Sequence, residues 1–147
     1  MLVSATRLRV RSAVLLPRLM WHSIKSMRQA PRAPGFVGGR TLISPWNVFW
    51  TITAWENEDA MQAFRTTAAH RAAMPKLLIL CDEASVVHWS QDTPELPSWQ
   101  ESHRRLMAEG RPSKVNHPSP DHLKNKYPPP HPGRLEVVLK PRNSKAN

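Results

Sequence analysis

Between Thr6 and Ser12 the chain alternates: Thr6, Leu8 and Val10 fall on one side and Arg7, Arg9 and Arg11 on the other, the two-residue period of a strand. The period then changes. Pro17 stands where a helix can begin, and Leu16, Met20, Ile24 and Met27 recur at helical spacing until Pro31 and Pro34 interrupt them, which predicts a first helix over residues 17–30. Gly35, Gly38 and Gly39 frame a short apolar piece, Phe36 to Ile43. It reads as a weak second strand with a bulge or tight bend, since interior glycine costs strand stability. Asn47 to Trp55, rich in aromatic and β-branched residues, is the third and strongest strand.

Asn57 is placed to cap a second helix, whose first turn carries Glu58 and Asp59 at the positive end of the helix dipole. Ala60, Met61, Phe64 and Ala68 form one apolar stripe, and Met74, Leu77, Leu78 and Cys81 form another. Pro75 removes a backbone donor between them, so the helix kinks or restarts between Ala68 and Pro75, with His70 in the interruption. Ala84 to Trp89 is a short β-branched run, the fourth strand. The order is strand, helix, strand, strand, helix, strand, an α+β domain over residues 1–91.

From residue 92 to 147 the composition shifts to proline, from Pro94 to Pro132, and no continuous element is predicted except a helix over Trp99 to Glu109 that stops at Gly110. The expectation is a docking helix followed by an extended, flexible basic arm that adds little core. Leu135 to Leu139 has strand-forming residues, but its proline-rich surroundings argue against a further strand.

Two helices cover one face of a four-stranded sheet and leave the other to be solved. In strand three Trp50, Ile52 and Ala54 share one side, while Phe49, Thr51, Thr53 and Trp55 share the other, so apolar bulk faces both ways. Pairing of sheets in a homodimer is the expected answer. If Leu8 and Val10 face the helices, the arginines of strand one face the open side, where buried charge demands a partner. Asp82, Glu83, carboxylates of a second copy or an anionic ligand are the candidates.

Twenty-one Lys and Arg against eleven Asp and Glu give a net charge of +10, and no acidic residue precedes Glu56. Such a balance favours anionic partners. The acid-free start has the composition of an organelle transit peptide, yet its alternation is that of a strand. No run reaches the ~20 apolar residues of a membrane span, and a soluble, cytoplasmic protein is expected. The lone cysteine, Cys81, sits in an apolar run and reads as a small buried hydrophobe.

The segments RLRVRS, LPRLMWHSIKSMRQA, RAPGFVGGR, FWTITAWENEDAMQAF and AHRAAMPKLLILCDEASVVHW together resemble a bacterial family of the dimeric α+β-barrel superfamily, that of the antibiotic-biosynthesis monooxygenases. They look more distantly like spheroidene monooxygenase. The likeness spans residues 4–91, and the tail motif WQESHRRLMAEGRPSKVNHPSP looks like an extension seen in some members. It implies a ferredoxin-like subunit of a homodimeric barrel. Barrel relatives oxidise quinols, degrade haem, isomerise lactones or only bind, so fold alone names no reaction. The implied function is a monooxygenase-like enzyme acting on a hydrophobic or aromatic substrate; the alternative is a non-catalytic dimeric protein that binds a hydrophobic or anionic ligand. The Asn, Trp and Tyr pattern of cofactor-free monooxygenases has no full counterpart, because the single tyrosine, Tyr127, lies in the tail.

His70 is the first catalytic candidate: it sits at a helix interruption where a pocket can open, and haem-degrading relatives place an axial histidine in a comparable helix. A partly exposed helix-end histidine accounts for the same position. Trp21, Trp50 and Trp55 are candidates to wall a flat substrate, a role that core packing explains equally well. His88 on strand four can line the pocket, and Arg9 can hold a phosphate or carboxylate bidentately; a hydrogen-bonded core histidine and a salt-bridged arginine are the competing readings. The tail histidines His103, His117, His122 and His131 lack zinc-site spacing, so no metal is assigned. RNA binding shares the strand order, but Asn47 and Val48 stand where the RNA-recognition motif opens with Lys or Arg and Gly, which argues against nucleic acid.

Overall fold

In the computed structural model, which describes residues 1–131 and 135–142, the arginine-alternating segment forms β1 (Leu2–Val10). After one 3-10 turn, α1 (Leu16–Gln29) carries Pro17 in its first turn, and a second 3-10 turn containing Pro31 ends it. β2 (Phe36–Ser44) and β3 (Val48–Trp55) follow as a hairpin, with the predicted bulge between Phe36 and Gly38. Gly35 precedes β2 at φ +78, a left-handed conformation, and a Cβ there would lie 2.5 Å from that of Ala60, so both backbone and space require glycine. Asn57 caps α2 (Glu58–Arg65) by accepting from the Ala60 amide.

The helix breaks earlier than its sequence pattern predicts. α2 ends at Arg65, and α3 (Ala68–Ala73) restarts at Thr67, whose hydroxyl donates to the Phe64 carbonyl. Pro75 then forces a 3-10 turn before α4 (Leu77–Leu80). β4 (Cys81–Ser90) begins at the cysteine, which is fully buried and whose thiol burial pushes up to about 12. Beyond it lie α5 (Trp99–Glu109), β5 (Arg111–Pro112), α6 (Pro120–Lys124) and β6 (Leu135–Leu139).

All pairings are antiparallel and the sheet order is β5-β4-β1-β3-β2-β6, a ferredoxin-like four-strand core extended at both edges. The pairing of β6 with β2 corrects the expectation of no further strand: prolines flank this segment, but none falls inside it, so its backbone donors stay free to pair.

α1 to α4 cover one face through two apolar clusters. Leu8, Val10, Phe49, Ala84, Leu19 and Leu80 fill one end; Leu2, Phe36, Trp55, Met61 and Phe64 fill the other. Among the described residues no helix is long and apolar enough to cross a membrane.

The opposite face is not bare, which corrects the premise that a second copy must shield it. Trp99 and Leu106 of α5, with Tyr127 from the tail, pack on Val3, Ala5, Trp50, Ile52 and Trp89. The tail therefore adds a second core instead of little core. It also follows a bonded path along β4 and the preceding α4: Ser113 and Ser119 amides donate to the carbonyls of Ala84 and Asp82 of β4, and the Asn116 amide to that of Leu78 of α4. Proline density hid this because such a segment satisfies its backbone against another element instead of within a regular one of its own.

The arginines of β1 find the carboxylates proposed for them within the chain. Arg7, 3% exposed, is ion-paired with Glu83, 1% exposed, and Ser119 Oγ donates to the other Glu83 oxygen at 2.8 Å. The Tyr127 ring lies over the Arg7 guanidinium at 4.4 Å. Arg9 grips Asp82 through Nε at 3.0 Å and Nη2 at 2.6 Å. Breaking a buried pair strands one charge in a dry site. Glu83→Leu alone is expected to cost about 3–5 kcal/mol in denaturant unfolding, whereas Arg7→Met with Glu83→Leu recovers most of that loss. Equal losses in the single and double variants would contradict a coupled pair.

Candidate functional site

Between the two apolar clusters the helix-facing side of the sheet changes character. Register places Ser4 beside His88 and Thr53, and Thr6 beside Val86 and Thr51, on adjacent strands β4, β1 and β3. Along β1 the order on this face is Leu2, Ser4, Thr6, Leu8; along β3 it is Trp55, Thr53, Thr51, Phe49. A belt of hydroxyls thus crosses the middle of a sheet whose two ends are apolar. Ser4, Thr6, Thr51, Thr53, Val86 and His88 are all partly exposed although β1 and β3 are central strands. A cleft therefore lies between the helices and the sheet.

The belt is closed at its β2 end, where buried Thr41 donates to Met27 Sδ of α1 at 3.3 Å. At its β4 end it meets a cavity of about 530 Å³ lined by Glu58, Gln62 and Arg65 of α2, Val86 and His88 of β4, and Arg111 and Ser113 of the tail. Burial, then the charges of Arg65 and Arg111, push the His88 imidazole below its ordinary range, while Glu58 opposes them. His88 is consequently neutral at pH 7, able to accept a proton beside two guanidinium groups that stabilise an anion.

The other predicted residues do not gather there. His70 lies on α3 with its ring against Phe64, centroids 4.8 Å apart, and burial and then Arg65 lower its pKa. It shares Arg65 as a charged neighbour with His88 but lines neither this cavity nor the groove described below. Trp55 is fully buried on the helix side, between Phe36 and Phe64, and its Nε1 donates to Thr53 Oγ1 at 3.0 Å, so it braces the belt from one end. Trp50 is buried on the opposite face, near Arg7 and His103. Five residues apart on one strand, Trp50 and Trp55 point to opposite faces and cannot wall one pocket. Trp21 is 61% exposed on α1, with Lys25 Nζ over its ring at 4.6 Å. Arg9 is also away from the cleft, its pKa raised by the hydrogen bonds to Asp82 and by Glu83.

Arg65, Gln62, Glu58 and Arg111 escaped sequence reasoning because they meet only in three dimensions. The hydroxyl belt did leave a signal: Thr6 shares a face with Leu8, and Thr51 and Thr53 share one with Phe49 and Trp55, polar residues where a filled core would place aliphatic ones. A second concavity, a groove of about 790 Å³, runs between α1 and α2 with Ala60, Ala63, Phe64 and Pro34 inside and Lys25, Arg28 and Arg32 along it.

No protein-family model matches the sequence, and no curated protein is similar to it. Solved structures are similar in fold. A structure described as an antibiotic biosynthesis monooxygenase aligns at 11% identity and TM-score 0.57, over 63% of this chain and 100% of its own. SnoaB of Streptomyces nogalater, described as a cofactor-independent oxygenase, aligns in its N63A form at 19% identity and TM-score 0.53, over 64% of this chain and 97% of its own. A Nitrosomonas europaea protein of unknown function aligns at 17% identity and TM-score 0.55, over 66% of this chain and 94% of its own. These alignments take in nearly the whole of each neighbour but leave part of this chain unmatched. The sheet and its helical layer thus have the ferredoxin-like fold of the antibiotic biosynthesis monooxygenase structures.

Proposed function

We propose that this chain is a monooxygenase-like small-molecule enzyme, with the hydroxyl belt as its reaction cleft and a hydrophobic or aromatic substrate that bears an acidic hydroxyl. The observation that carries the reading is His88, held neutral between Arg65 and Arg111 at the mouth of a polar cleft in an otherwise apolar layer. An oxygenase working without a cofactor must draw electrons from its substrate, and a phenol gives them up more readily as its anion. In this reading His88 takes the hydroxyl proton, Arg65 and Arg111 hold the resulting oxyanion, and the hydroxyls of Ser4, Thr6 and Thr53 orient the remaining oxygens. In this reading His88 takes the role first considered for His70, whose ring packs on Phe64 of the apolar cluster. A homodimer belongs to the same reading, with its interface away from the sheet face that α5 covers.

Oxygen uptake with polycyclic quinols tests the chemistry. Wild-type protein is expected to consume oxygen, and His88→Ala to lose on the order of 10²–10⁴ of the rate while still binding the quinol. Quinol binding without oxygen uptake by wild-type protein would leave a ligand-binding protein instead, and neither binding nor uptake would remove the cleft from consideration.

Two partly buried imidazoles also set a pH dependence. His70 and His88 both have lowered folded values. The unfolded chain therefore binds protons more readily, and stability rises with pH. Their contribution is complete above the ordinary imidazole value of about 6.5 and is lost as pH falls from there through the lower folded values. Denaturation midpoints measured across that window are expected to fall on acidification, less steeply in His88→Gln; an unchanged slope in that variant would contradict the assignment.

A further inference from the structure

The outer surface of α1 carries a pattern that the cleft does not use. Arg11, Val14, Arg18, Trp21, Lys25, Arg28 and Arg32 recur at alternating steps of three and four through α1 and its flanking turns, and every one is exposed. Val14 is 83% and Trp21 61% exposed. The helix buries its opposite side, where Leu16, Leu19 and Met20 join the core. The stripe thus holds five cations, two apolar groups and no carboxylate. Among the described residues no ion pair engages any of these five cations. The local field is positive enough that Lys25, Lys76 and Arg18 add to burial in lowering the pKa of His22.

We propose that this face of α1 docks the protein on an anionic lipid surface, with Arg18, Lys25, Arg28 and Arg32 at the headgroups and Trp21 and Val14 at the interface. Arg11 is tied to the Ile79 carbonyl, but Arg18, Lys25, Arg28 and Arg32 carry no ion pair among the described residues, and this row of cations, the last three of which border the groove beside α2, complements a plane of negative charge. The exposed indole and valine favour lipid over a nucleic-acid backbone, because tryptophan settles at the headgroup level and valine gains by leaving water. Lys25 beside the indole places a charge at the same depth. Such docking would bring the chain to a source of hydrophobic molecules, although the proposal does not depend on the reaction assigned to the cleft.

Co-sedimentation of the full chain with vesicles tests it, using phosphatidylcholine alone or mixed with phosphatidylglycerol. Binding is expected only to the mixed vesicles and should weaken with salt. Arg18→Gln, Lys25→Gln and Arg28→Gln together should weaken it by about fivefold per charge removed, and Trp21→Ala should weaken it further. A control with Lys114→Gln, Lys124→Gln and Lys126→Gln loses the same charge from exposed sites elsewhere and should bind as the parent does. Absence of binding to mixed vesicles overturns the proposal. So does equal weakening in the control, which would reduce the effect to net charge. Retention of a homopolymeric RNA, abolished by the stripe variant in a protein that ignores vesicles, would assign the face to nucleic acid instead.

Discussion

The ion pair between Arg7 and Glu83 ties the first strand, β4 and the tail to one another. A charge on the central strand of a sheet cannot face water once the sheet is covered and cannot stay alone once it is dry. Arg7 resolves this by facing Glu83 on the neighbouring strand, and Glu83 in turn accepts from Ser119. That bond draws the tail onto the edge of β4, where His122 Nδ1 accepts from the Ala84 amide and Tyr127 reaches the Arg7 guanidinium. The path after α5 thus follows from a charge placed in the first strand. With that face sealed from within, the helix-side face is the one left to form a cleft.

Much of the core architecture was legible in the residues. Alternation, helical spacing, the Asn57 cap and the glycine and proline positions located the βαββαβ order, and the arginine alternation required carboxylates, two of which were named correctly as Asp82 and Glu83. The tail was legible only at α5, where helical spacing and the Gly110 stop mark Trp99–Glu109. Its prolines remove the regular periods on which such reading depends, and Ser119 and Tyr127 carry no local sign that they complete a buried charge network. Leu135–Leu139 was hidden for a related reason: a lone short strand is recognisable only when an edge such as β2 is known to be free.

The cleft shows the same division. The alternation of β3 already separated Trp50 from Trp55, so grouping them in one pocket conflicted with the strand period itself. His88 was found because histidine is conspicuous on a strand. Arg65 and Arg111, which set its electrostatics, come from a helix and a distant edge and converge only through the fold. The polar belt between apolar clusters turns a covering of helices into a space, because hydroxyls there gain less from dry packing than from a polar ligand or water.

The segment from α5 to Tyr127 belongs to the folded core and seals the sheet face opposite α1 to α4. Hydrogen exchange of the intact protein, resolved by segment, tests it most directly. Amides of α5 and of Ser113, Asn116 and Ser119 are expected to exchange as slowly as those of β1 and β3, through the same global opening. Rapid exchange from residue 99 onward, beside a sheet that stays protected, would contradict it.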